Sequence, residues 1–200
     1  MNCMVTRICV IFALFSAYFS GWAQPTTFQK TYTGPFNGLS AALQLSDGRL
    51  ACSGSVINGL PLPNADASLL FFDANGVPGG GKQFSAAGDQ LVYSIFRTSD
   101  GGFLLSGSTT AGGPGGTDML LIKTDLLGNV LWSKAIGTAL EESIAGLRAL
   151  GQTPDGNYVL SGQAAGANGL NNTFVAKVNA ATGTIVWSGL YPLNATAGSV

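Results

Sequence analysis

The 200-residue chain contains no histidine, which excludes His-based triads, histidine metal sites and imidazole acid–base catalysis within it. Charge is scarce as well: Asp, Glu, Lys and Arg make up 10% of the residues, against roughly 25% in an ordinary soluble domain. No basic run occurs, so nucleic acid and anionic membrane are poor partners. The polar surface must be built from Ser, Thr, Asn, Gln and Gly instead. Long apolar runs are missing too. The longest, residues 8–19, falls short of the roughly 20 residues that a membrane helix needs. Cysteine is limited to Cys3, Cys9 and Cys52.

The run at 8–19 follows a short leader carrying Arg7 and precedes Gly21-Trp22-Ala23, with small residues where a signal peptidase cuts. That is the three-part layout of a secretory signal peptide over residues 1–23. Neither Cys3 nor Cys9 follows the apolar run, so a lipid anchor is not expected. Cleavage would leave a chain from Gln24 with eight basic and ten acidic residues. Its destination would be secreted, cell-surface or periplasmic, with no membrane-spanning segment. Cys52 alone cannot close an internal disulfide, so stability must come from packing. It aligns with Leu105 and Leu160 in the repeats below and reads as a small buried hydrophobe.

What the chain does have is repetition. SDGRLACSG (46–54), SDGGFLLSG (99–107) and PDGNYVLSG (154–162) place Asp-Gly pairs 53 and 55 residues apart. A second phrase follows each: DASLLFFDANGV (66–77), DMLLIKTDLLGNV (118–130) and NTFVAKVNAATGTIV (172–186). Two unrelated phrases holding one period mark a structural repeat. Each unit divides into four short strands. The first lies at 41–45, 92–98 and 146–152, and the second at 49–54, 102–108 and 157–162. The third lies at 68–72, 119–124 and 173–178, and the fourth at 130–136 and 184–190, with a weaker 81–85 in the first unit. Asp-Gly between the first two strands predicts a tight hairpin turn. Asn75-Gly76, Gly128-Asn129 and Thr182-Gly183 predict a second turn. The near-continuous apolar runs suit strands buried on both faces.

Four antiparallel strands at this period read as a blade of a β-propeller. The fold class expected is therefore all-β, with about three blades over 35–84, 85–137 and 138–191 and a start of a fourth unit at 192–200. Closed propellers usually need four to eight blades, so an incomplete ring is expected, the N-terminal portion of a longer protein. Residues 28–34 resemble the fourth-strand phrase at 132–137 and would serve as a closing strand. The phrases as a whole resemble the T-x-DGG-[YF]-x-x-x-G-[ST] … D-x-x-[LV]-[IV]-K-[TV]-[DN]-x-x-G-x-x-x-W-x-K blades of secreted bacterial repeat proteins, over residues 41–190. In the first unit Phe71 replaces the lysine, and Pro78 with Gly79-Gly80-Gly81 replaces the tryptophan strand, which predicts a frayed outer strand there.

Binding residues are expected at the end carrying the loops between second and third strands (55–67, 109–117 and 163–171) and the links between units. Asp66, Asp118 and Asn172 occupy equivalent positions there. They would form either an oxygen ring for calcium or sugar hydroxyls, or caps for loose N–H groups at strand starts. Asp89 and the pair Glu141-Glu142 lie in the links. The pair suggests glycoside chemistry at first sight, but adjacent residues rarely aim at one substrate and a solvated loop is the simpler reading. Ser53, Ser106 and Ser161 precede Gly with no histidine to activate them. Lys123 and Lys134 would lay their stems over the interface around Trp132 with their heads in water.

Two functions are consistent with this sequence. One is an exported, non-catalytic binding or adhesion module for neutral glycans or cell-surface proteins, with no catalytic residue, cofactor or metal of its own. The resemblance implies surface delivery through a C-terminal sorting domain. The other is part of a propeller enzyme, glycan-active or quinoprotein-like, with catalytic residues beyond Val200. Residues 178–187 resemble the A-x-D-x-x-T-G-x-x-x-W docking motif of quinoprotein propellers, whose Trp implies a blade lock, not a catalyst.

Overall fold

A computed structural model describes residues 36–58, 64–144, 150–165 and 171–192. The expected signal peptide (1–23), the expected closing strand (28–34) and residues 193–200 of the expected fourth unit lie outside the described residues. The described residues form strands and turns, without a helix.

Three sheets follow one another in chain order, each with its antiparallel strands in sequence order. The first holds β1 (Phe36–Gln44), β2 (Leu50–Asn58), β3 (Asn64–Phe72) and β4 (Pro78–Phe84). The second holds β5 (Gln90–Arg97), β6 (Phe103–Thr109), β7 (Asp118–Thr124) and β8 (Val130–Ile136). In the third, β9 (Glu142–Ile144) and β10 (Leu150–Gln152) both pair with β11 (Tyr158–Ala165), followed by β12 (Asn171–Val178) and β13 (Ile185–Pro192). Of the strand predicted at 146–152, residues 150–152 form β10, while 146–149 lie outside the described residues. The expected frayed strand is corrected: β4 pairs with β3 from Ala67↔Phe84 to Phe72↔Pro78. Gly80, where the other units have Trp, keeps backbone pairing while removing the side chain.

The Asp-Gly turns are alike in all three sheets. Gly48, Gly101 and Gly156 have φ of 85, 84 and 84°, while among the described residues no other residue type has positive φ. A two-residue turn of type I′ would need the aspartate there as well. Instead the glycine N–H returns to the residue three before it, as in Gly101 N to Thr98 O at 2.9 Å, and Thr98 N reaches Gly102 O at 3.1 Å. This is a three-residue loop closed by a left-handed glycine. The aspartate accepts the N–H two residues on, Arg49, Gly102 and Asn157 respectively. The recurrent Ser-Gly inside the second strand has a steric cause. A Cβ at Gly54 or Gly107 would collide with the Gly38 or Leu91 carbonyl, where the first strand bulges inward.

The sheets pack face to face. On β7, Leu120 and Ile122 join Phe103 and Leu105 against Leu45, Ala51, Ala67 and Leu69 of the first sheet. Met119 and Leu121 join Leu104 against Tyr158, Leu160, Phe174, Ala176 and Val178 of the third. Alternate residues therefore serve opposite interfaces, and β6 and β7 are buried throughout, as the continuous apolar runs predicted. Each side chain of this size wholly buried contributes about 2 kcal/mol. Cys52 is buried, and burial pushes its thiol above the usual range.

A repeated clamp joins the edges. Gly183, in the turn before β13, lies against Trp132 and Lys134 of β8, and Trp132 Nε1 donates to Ala180 O at 3.0 Å. Gly128, in the turn before β8, lies against Lys82 of β4 and against Leu69 and Phe71. Lys134 keeps an exposed head, as expected. Lys123 does not: it is wholly buried and pairs with Asp100 at 2.9 Å while donating to Thr124 O at 2.9 Å. Lys177 repeats the pair with Asp155 at 2.6 Å. In the first sheet Phe71 fills the lysine's place, and Asp47 pairs with Arg49 at 2.8 Å.

Candidate functional site

Hydrogen bonds gather the loops and links at the end away from the Asp-Gly turns. Thr110 N donates to Asp89 O at 3.1 Å, and Asp89 Oδ1 accepts from Ala65 N at 2.8 Å, joining the first link to the start of β3. Glu142 N donates to Thr117 O and Ala165 N to Glu141 O, both at 2.8 Å, so the second link ties the loops of the second and third sheets. Between them opens a cleft of about 260 Å³ lined by Thr117, Glu141, Glu142, Gln163, Ala165 and Asn171. Asn171 Nδ2 lies 3.3 Å from Gln163 Oε1 across it.

The sequence-predicted residues divide between places. Asp66 is buried, and its Oδ2 accepts from Gln83 Nε2 at 2.7 Å and Ser85 Oγ at 2.6 Å. Asp118 is buried and accepts Gly115 N at 3.3 and 3.4 Å, a weak form of the expected strand-start cap. Burial raises its pKa, and the charges of Glu142 and Glu141 push the same way. Asn172 pairs in register with Ala164 and Pro192 and is half-buried. Asp66 and Asp89 belong to the first junction, and Asp118, Glu141 and Glu142 to the second.

Reading Glu141-Glu142 as one solvated loop needs correcting. Glu141 is exposed, but Glu142 is 1% exposed, because it opens β9 and its backbone pairs with Ala164. Thr138 Oγ1 donates to Glu142 Oε1. With Glu142 buried, the adjacent pair cannot flank a glycosidic bond as two catalytic carboxyls must. Ser53 and Ser106 are 0% exposed between sheets, closed to any substrate. Sequence reasoning missed Thr138 and Gln90, which hold the links. Their signal was the repeat itself, since Gln90 and Glu142 take the same place in successive units.

No family model matches the chain, and no curated protein matches it either.

Proposed function

We propose that the three sheets are successive blades of a β-propeller belonging to an exported, non-catalytic module that binds neutral glycans. Face-to-face stacking in chain order and the recurring clamp support the propeller reading. The observation that carries the binding reading is the cleft between the second link and the loops. There the Gln163 and Asn171 amides, Thr117 and the exposed Glu141 offer hydroxyl-binding groups with no lysine or arginine among them. Such a lining suits uncharged, hydroxyl-rich ligands. A cell-surface protein carrying such glycans would dock the same way.

The test is a glycan array probed with the chain and with a Q163A/N171A variant. Binding of neutral glycans by the parent, lost in the variant, supports the reading. A silent array, or binding that the double substitution leaves intact, refutes it.

A further inference from the structure

The two junctions between sheets use the same positions with different chemistry. In the first, Asp66 takes hydrogen bonds from Gln83 and Ser85. Gln90, buried beside the link, donates its amide to the Ala87 and Gly88 carbonyls at 2.9 and 3.0 Å and accepts Ala86 N at 3.1 Å. In the second junction Asp118 stands for Asp66, Ala135 for Gln83, Gly137 for Ser85 and Glu142 for Gln90. Both side-chain donors to the aspartate are gone, and a neutral amide has become a second carboxylate.

Among the described residues, Thr138 Oγ1 donates to Glu142 Oε1 and Gly115 N weakly to Asp118, and no cation offsets the second charge. Glu142 Oε2 is buried with no hydrogen-bond partner. A side chain at Gly137 would collide with both Glu142 Oε2 and Asp118 Oδ1, so the two oxygens front one small space. The salt bridges formed by the described residues all lie at the Asp-Gly turns, and none reaches this pair. Two close buried carboxylates cannot both remain charged without a compensating positive charge.

We propose that Asp118 and Glu142 hold a hard divalent cation of the calcium type, tying β7 to the link that enters the third sheet. The ligands within reach are oxygens, with no imidazole or thiol beside them, which selects calcium over zinc or copper. The Thr138 and Leu140 carbonyls lie against Gly115, whose N–H reaches Asp118. Three acidic side chains do not surround a single point among the described residues. Two carboxylates are therefore completed by neutral oxygens, water among them, as in many calcium shells.

Calcium chloride titrated into the chelator-treated chain, by calorimetry with melting followed in parallel, tests this site. The parent is expected to bind calcium, bind magnesium more weakly, and melt higher with calcium than without. E142Q restores the glutamine of the first junction. It should weaken calcium binding by ~10-fold or more, yet melt higher than the calcium-free parent, which also shows that the variant folds. A parent without calcium heat or a calcium-dependent melting shift overturns the proposal. So does calcium binding that E142Q leaves unchanged. A parent that is stabilised by acid and indifferent to calcium overturns it as well, because the pair then shares a proton.

Discussion

The second and third sheets present nearly the same face to opposite fates. On the second, Leu104, Leu121 and Lys123 are wholly buried, and Trp132 is half-buried against the third sheet. Their equivalents on the third, Val159, Val175 and Lys177, are only half-buried, and Trp187 is 45% exposed. Trp132 has Tyr158 at a ring distance of 6.3 Å and the Ala180 carbonyl as acceptor. The side-chain chemistry is shared, so the neighbour alone decides how much each residue contributes. A sheet of this kind stabilises the chain chiefly through the sheet that covers it.

Substitutions in matched pairs would break that comparison if it is wrong. Leu121→Ala should cost about 3 kcal/mol in chemical denaturation, since it empties a buried site. Val175→Ala should cost about 1 kcal/mol or less. Trp132→Ala should cost about 2 kcal/mol through lost area and aromatic packing, against less than about 0.5 kcal/mol for Trp187→Ala. Equal losses within either pair would mean that the third sheet's face is covered in solution. Ser106→Ala probes the same interface in the other direction. Its hydroxyl is buried without a partner, so removing it should stabilise by about 0.5–1 kcal/mol, while Ser161→Ala on the open face should change little.

Most of the strand order was legible because the turns need special backbone. Asp-Gly and the glycines of the second turn allow few alternatives, and two phrases at one period fixed the units. β9 was not legible, since its three residues are too few to show alternation. The same shortness hid Glu142. In a strand neighbouring side chains point oppositely, so Glu141 faces out and Glu142 in, but three residues carry no readable period. β4 was underread because Pro78 and three glycines lack strand propensity, while β3 supplies a ready edge for their backbone. Lys123 was misplaced because its partner, Asp100, belongs to another turn, and distance in sequence conceals the pair.

The smallest expected effect separates the two lysines by pH. Partial burial would raise the Asp100 carboxyl, but hydrogen bonds from Thr98 and Gly102 and the Lys123 ammonium outweigh it and bring its pKa to about 2. The ion pair of Lys177, first among several hydrogen bonds, holds Asp155 below the usual range too. A folded pKa below the unfolded 3.8 stabilises the chain above that value, and this contribution is lost as pH falls through the folded pKa. Asp100 is 56% exposed, so solvent screens the pair and Lys123→Met should cost only about 0.5–1 kcal/mol at neutral pH. Once acid neutralises Asp100, the parent is left with an ammonium on a side chain 1% exposed and no counter-charge. The Lys123→Met variant should then become the more stable of the two. Lys177, at 20% exposure, reaches water more easily, so the cost of Lys177→Met should fade towards zero in acid without changing sign. Melting curves of the parent and both variants from pH 7 down to about pH 1, through both folded carboxyl pKa values, would show one crossing and one convergence. A crossing for both would mean that the third sheet's lysine is buried as deeply as the second's.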